Sequence, residues 1–243
     1  MRRLVGIGMG PGNPEMVTLG AMRELENASH IFAPTIIRTQ AGRAEQVVRE
    51  LLPNREIERI VFEMDPGLSG VRLREDAASI AAKLIVARAG IDESVAFVTL
   101  GDPSLYSTFY PLSVAVKRLE PDVRVTMVPG IPAFTYLAAK YTMDLLDNSE
   151  RLFVIPVVRD QDLDRLKALL LDYEATIVIY KCAGRFPLVR EALISTNRIE
   201  SAFVGTDLGT ATEVIGPAMD FGASALGYFA TVIAPALRGR DAI

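Results

Sequence analysis

The chain has 243 residues, half of them hydrophobic, and a formal charge of −4. That length fits one large or two modest domains with a substantial core, and the acidic balance argues against a nucleic-acid partner. One cysteine, Cys182, and one histidine, His30, exclude an internal disulfide and leave no recognisable zinc site.

In chain order, Leu4-Val5-Gly6-Ile7-Gly8 reads as a strand and Met9-Gly10-Pro11-Gly12-Asn13-Pro14 as a glycine-rich turn. A helix capped by Thr18 follows, then a second strand, Ile31-Phe32-Ala33-Pro34. The opening invites comparison with the dinucleotide fingerprint G-x-G-x-x-G and departs from it twice. Pro11 stands where the last glycine belongs, and the second strand ends in Ala33-Pro34-Thr35 without an acid to hold a ribose. A nicotinamide or flavin site is therefore set aside.

Helices are predicted from Gly42 to Leu52 and from Gly70 to Ala89. The apolar run from Ser94 to Leu100 then stops at Gly101-Asp102-Pro103, with helical spacing after it. Such a turn lies at the carboxyl end of a strand, where open α/β sheets bind ligands. Gly101 lets a ligand approach the backbone, and Asp102 offers a charge to a cationic or polyhydroxyl group. The plainer alternative is a strand-to-helix turn with Asp102 as the cap. Tyr106, Phe109 and Tyr110 open the next helix, with core packing as their default role. Val125-Thr126-Met127-Val128 is again a strand, followed by the turn Pro129-Gly130-Ile131-Pro132-Ala133 and a helix.

The second half restarts with Leu152-Phe153-Val154-Ile155 as a strand and a helix from Asp160 to Leu171. Ala175–Tyr180 reads as strand, Arg185–Ser195 as helix and Ile199–Val204 as strand. Glu213-Val214-Ile215 starts a strand pair ending at Tyr228–Ala234. Alternating strands and helices give an α/β fold with a mostly parallel sheet in the first half. Pro121 punctuates a boundary between domains 1–121 and 122–243. Asp160, Asp162 and Asp164 lack the glycine and later glutamate of a calcium loop and read as a solvated helix start. Met127 and Met143 are assigned to the core, and His30 to a helix end or to packing. No segment has the character of a signal peptide or membrane span, and the cytoplasm is the expected compartment.

Three turns in one order, Gly8-Met9-Gly10-Pro11-Gly12, Leu100-Gly101-Asp102-Pro103-Ser104-Leu105-Tyr106 and Val128-Pro129-Gly130-Ile131, resemble those of the tetrapyrrole methylase family. The likeness runs from Leu4 to about Ile233. It implies the two-domain α/β fold of the class III methyltransferases, with the active site in the interdomain cleft. It also implies S-adenosylmethionine as methyl donor, a small-molecule tetrapyrrole as acceptor, and a homodimer. Leu100–Thr108, the K-x-x-G-R-F segment from Lys181 to Phe186 and the closing strand from Tyr228 are similar to the branch that methylates carbon 20 of precorrin-2 or cobalt-precorrin-2. That reaction belongs to cobalamin biosynthesis. Leu100 stands where the uroporphyrinogen methylases carry a glycine. Other corrin-ring methylases acting at C11 or C17, diphthine synthase with its protein acceptor, and a catalytically silent ligand-binding member stay open as alternatives.

The resemblance also carries residues over one by one. Pro11 matches the proline bordering the cofactor site. Leu100, Gly101 and Asp102 match the central turn that meets the methionine portion, and Leu105 a backbone contact. Pro132 and Ala133 match a pair that often bears a hydroxyl, absent here, so their contact falls to backbone or apolar surface. Lys181 and Leu208 fall near further contacts on the second domain, with packing an equal alternative. Arg185 sits in the G-R-F segment. Arg38 and Arg43 follow the second strand, and all three arginines suit the carboxylates of the macrocycle. Tyr106 is the candidate ring beside the substrate. No residue identifies itself as a general base, and no metal is expected, since alignment of donor and acceptor accounts for much of such a rate.

Overall fold

The computed structural model describes residues 1–62, 70–222, 224 and 226–238, with backbone alone for 70–74. Two compact units divide the chain, Met1–Pro132 and Ala133–Ile243.

In the first unit, β1 (Arg3–Gly8), β2 (His30–Thr35), β3 (Glu58–Val61), β4 (Ser94–Thr99) and β5 (Arg124–Val128) form a sheet in the order β3-β2-β4-β1-β5. Every pairing is parallel. The central strands β1 and β4 are buried almost throughout, which explains why they read as continuous apolar runs rather than alternating ones. Successive side chains still go to opposite faces. Val5, Ile7, Ala96 and Val98 pack under α1 (Leu19–Asn27) and α2 (Arg43–Leu51), while Leu4, Val95 and Phe97 pack under α3 (Gly70–Arg88) and α4 (Phe109–Leu119). Thr18 caps α1 as its spacing predicts, its hydroxyl accepting from the amide of Ala21 at 3.1 Å. The chain leaving β1 thus turns to one face and the chain leaving β4 to the other. Neighbouring strands with that divergence open a crevice outside their carboxyl ends.

In the second unit, β6 (Arg151–Pro156), β7 (Ala175–Tyr180), β8 (Phe203–Thr206), β9 (Val214–Pro217) and β10 (Ala230–Ala234) are ordered β6-β7-β10-β8-β9. Only the β6–β7 pair is parallel. The helices α6 (Gln161–Leu170) and α7 (Phe186–Ser195) bury Leu166, Leu170, Phe186 and Val189 against Ile177, Ile179 and Val232. The helix α5 (Ala133–Lys140) lies against β10. Fully buried Arg198 donates to the carbonyls of Leu170, Asp172, Ala175, Ala234 and Pro235, tying the start of β7 to the end of β10.

Five features differ from the expectations. Met127, assigned to the core, is 42% exposed, and β9 pairs with β8 rather than with β10. The strand β3 was not anticipated, because two charged residues precede two apolar ones and only Ile60 is buried. The strand expected from Ile199 begins at Phe203, after a turn. The first unit runs to Pro132 rather than to residue 121, because β5 pairs with β1 along its length.

Candidate functional site

Beyond Thr99 the chain crosses the end of β1. Gly101 has φ +69° and forms an isolated antiparallel bridge with Gly10, itself at φ +68°. The amide of Gly101 donates to the Gly10 carbonyl at 2.7 Å, and that of Met9 to the Thr99 carbonyl at 2.9 Å. The turn after β5 joins them. Asp102 Oδ2 accepts from the Gly130 amide at 2.9 Å, while Oδ1 accepts from the Ser104 amide at 2.8 Å and from the Ser104 hydroxyl. A Cβ on Gly130 would collide with the Gly101 carbonyl oxygen, and one on Gly8 would come within 2.5 Å of the Gly130 nitrogen. Three turns therefore meet backbone to backbone. Over Gly101, a Cβ would meet nothing within 4 Å, so the space above this turn is open.

Asp102 is not a helix cap: α4 begins only at Phe109. Its carboxylate fastens the turns after β4 and β5 instead. The Leu105 amide donates to the Asp102 carbonyl at 3.2 Å and closes the loop. Tyr106 follows at φ +50°, 44% exposed. A non-glycine residue there costs on the order of 1 kcal/mol or more, a strain that tends to sit at functional sites. Phe109 is core, its ring 6.2 Å from that of Phe97, whereas Tyr110 is exposed.

The strands β2, β4, β1 and β5 are consecutive and parallel, so the loops after them share one edge. That edge carries Pro11, buried; Arg38, exposed; Arg43, opening α2; Leu100 to Tyr106; and Pro132. Ala133 is the next residue and begins α5. In the second unit β7 and β8 both run antiparallel to β10 and share a carboxyl edge. Lys181, at φ +56°, follows β7, and Leu208 follows Asp207, at φ +53°, after β8. The side chain of Leu208 is only 3% exposed and packs over Gly205. Arg185 stands before α7 and pairs with Asp160 at 3.2 Å. Asp160 is exposed and Arg185 half-buried, so the pair itself adds little to stability. The Phe134 amide donates to the Tyr180 hydroxyl at 3.2 Å, tying the start of α5 to the end of β7.

His30 stands at the opposite, amino edge of the first sheet, between Glu93 at 3.1 Å and Glu58 at 3.7 Å. Asp162 accepts from the amides of Val158 and Arg159 at 2.9 and 2.7 Å at the start of α6. Burial pushes its carboxyl up, but these amides outweigh that and hold it below the usual range. Cys182 is buried, and burial pushes its thiol up to about 12.

Three ion pairs, built on two acids near these loops, escaped the sequence. Glu45 is fully buried, and burial pushes its carboxyl up. The guanidiniums of Arg59 and Arg49 overcome that and hold it below the usual range. Glu213 accepts from the Gly209 amide at 2.7 Å and pairs with Lys140 at 3.1 Å, bracing the loop that holds Leu208. For Glu45 a signal existed: it falls on the buried stripe of α2 with Ala44, Val47 and Val48, and an acid there calls for a cationic partner.

The profile of the family Tetrapyrrole (Corrin/Porphyrin) Methylases matches residues 3–218. A precorrin-2 C(20)-methyltransferase of Sinorhizobium sp is 26% identical over 249 aligned residues, spanning 98% of this chain and 97% of its own. A cobalt-precorrin-2 C(20)-methyltransferase of Salmonella typhimurium is 28% identical over 205 residues, 83% of this chain and 82% of its own. Among solved structures, one assigned to CobF, a cobalamin synthesis related protein of Corynebacterium diphtheriae, has a TM-score of 0.71 at 22% identity, covering 98% of this chain and 100% of that one. A uroporphyrin-III C-methyltransferase from Thermus thermophilus complexed with S-adenyl homocysteine has a TM-score of 0.61 at 19% identity, covering 95% and 96%. The matched span runs from β1 to β9 and includes all three stitched turns. This chain belongs to the tetrapyrrole (corrin/porphyrin) methylases.

Proposed function

We propose that this chain transfers a methyl group from S-adenosylmethionine to carbon 20 of precorrin-2 or cobalt-precorrin-2, in cobalamin biosynthesis. The observation carrying the reading is the set of glycine turns stitched by Asp102, with open space over Gly101 at a carboxyl edge where α/β sheets bind ligands. Likeness along nearly the whole chain to a relative named for C20 methylation supports the ring position.

The residues present fit the donor. Among the described residues no atom lies within 4 Å of where a Cβ on Gly101 would stand, and a carboxylate that accepts three hydrogen bonds keeps lone-pair capacity for an ammonium group. On this reading Pro11, Leu100, Leu105 and Pro132 of the first unit, and Ala133 and Leu208 of the second, are the proposed contacts of the donor. When bound, S-adenosylmethionine supplies a methyl group already activated by its sulfonium. The protein's own work is then alignment. Asp102 holds its turn in shape before a ligand arrives, so little ordering is left to be done on binding. Arg38 and Arg43 of the first unit, and Lys181 and Arg185 of the second, are the cations proposed to meet substrate carboxylates. Tyr106 offers an exposed ring to a flat macrocycle. No general base is assigned.

We place the protein in the cytoplasm, where its single buried thiol needs no oxidising surroundings, and as a symmetric homodimer, the commonest closed assembly. Sedimentation equilibrium tests the dimer; a monomer at micromolar concentration refutes it. The reaction is tested by anaerobic incubation with labelled S-adenosylmethionine and precorrin-2, with and without cobalt, followed by mass and NMR analysis. One methyl added at carbon 20 is expected. Donor binding without methylation of either acceptor would redirect the search to later corrin intermediates.

A further inference from the structure

The loop after β2, residues 36–42, stands beside the loop after β4, because those strands are neighbours. It presents Ile36 and Ile37, each 50% exposed, and Arg38, also exposed. Two adjacent isoleucines half in water are an unusual display for a loop.

This loop is held from beneath. Buried Thr35 directs its hydroxyl to the carbonyls of Ile37 and Gln40, at 2.9 and 2.8 Å. Arg59, on β3, donates Nη1 to the Arg38 carbonyl at 3.3 Å. Its other two nitrogens are taken by Glu45, Nε to Oε2 at 2.6 Å and Nη2 to Oε1 at 2.8 Å. Glu45 lies in the first turn of α2, where the helix dipole favours an acid, and also accepts from Arg49 at 2.8 Å. A buried ion pair is weak evidence for stability, since desolvation offsets the Coulomb gain. Its distinctive effect here is geometrical. A planar guanidinium with two nitrogens committed to Glu45 has its third directed at one backbone carbonyl.

We infer that Arg59, oriented by Glu45, is a positioning residue for substrate recognition. Together with Thr35 it sets the 36–42 loop as a rigid amphipathic lip. Ile36 and Ile37 take apolar ring surface, and Arg38 takes a peripheral carboxylate of the tetrapyrrole. The inference rests on the proposed methyltransferase reading.

Two measurements test it on the full-length protein. The first is trypsin cleavage after Arg38 in the ligand-free protein, followed by mass spectrometry. The second is the steady-state KM for precorrin-2 beside kcat and S-adenosylhomocysteine affinity. Arg59→Lys keeps the charge but cannot hold Glu45 with a fork and reach the Arg38 carbonyl as well. Thr35→Val removes the hydroxyl without touching the ion pair. Each is expected to speed cleavage after Arg38 and to raise KM about five- to tenfold, the worth of roughly one positioned hydrogen bond, while kcat and cofactor affinity hold. In an Arg38→Ala background, Arg59→Lys should raise KM little further, because both changes remove the same contact. A lowered thermal midpoint with unchanged cleavage and KM would overturn the inference and leave Arg59 as an anchor of α2. So would KM effects that add in full to those of Arg38→Ala. If the wild-type protein methylates no tetrapyrrole, the functional reading fails instead, and the cleavage rates still show whether Arg59 and Thr35 order the lip.

Discussion

Asp102 commits both carboxylate oxygens to the turns around it. Asp102→Ala strips the Gly130 and Ser104 amides of their partner, so a loss of about 1–3 kcal/mol in urea unfolding is expected, together with weaker S-adenosylhomocysteine binding by calorimetry. Wild-type values in both experiments would remove Asp102 from fold and site alike. Glu45 makes a pH prediction. Its arginine partners hold the folded carboxyl below the ordinary value of 4.5 despite burial. A depressed folded value stabilises the native state above the unfolded value and is lost as pH falls through the folded one. Between about pH 7 and about pH 3, the wild-type protein should therefore lose stability faster than Glu45→Gln. A difference between the two that stays constant down that range would contradict the pairing. The long-range halves of these roles do not show in the local sequence, since Gly130 and Arg59 lie 28 and 14 residues beyond Asp102 and Glu45.

Elements and turns were largely legible. Thr18 before α1, the apolar run of β4 and the glycines after β1, β4 and β5 are local signals, and the structure places elements and turns there. Their convergence was not local. Gly130 looks like any turn glycine until the Gly101 carbonyl is seen against it. That contrast predicts an order of effects. Gly130→Ala must push one turn off another and should cost about 1–3 kcal/mol or more, with S-adenosylhomocysteine binding impaired. Gly101→Ala meets no atom and carries only the strain of its left-handed backbone, about 1 kcal/mol. Thermal denaturation of the two variants separates them; equal losses would mean that the turns yield to the added methyl. The strand β3 was illegible because an edge strand of four residues with one buried side chain leaves no alternation to read.

For the molecule as a whole, a ligand that binds only the folded state must stabilise it by mass action. About a hundredfold excess of S-adenosylhomocysteine over its Kd should add about 2.7 kcal/mol and raise the thermal midpoint. Asp102→Ala should lose that shift, and a wild-type midpoint indifferent to the ligand would count against the cofactor reading. The boundary between units shows the same division between local and distant information. Pro121 is a sound punctuation mark, yet β5 beyond it completes the first sheet by pairing with β1 more than a hundred residues away.

The sequence by itself determined the family, the order of strands and helices apart from β3, and the turns that bear the candidate site. Each depends on neighbours along the chain, through apolar periodicity and the backbone freedom of glycine and proline. Only the tertiary structure decided that Asp102 clamps Gly130, that Arg59 holds the 36–42 loop through Glu45, and that Arg198 binds five carbonyls rather than an acid. Those contacts exist because strand order brings distant residues within hydrogen-bonding reach, and strand order is set by how whole faces are buried rather than by any local pattern.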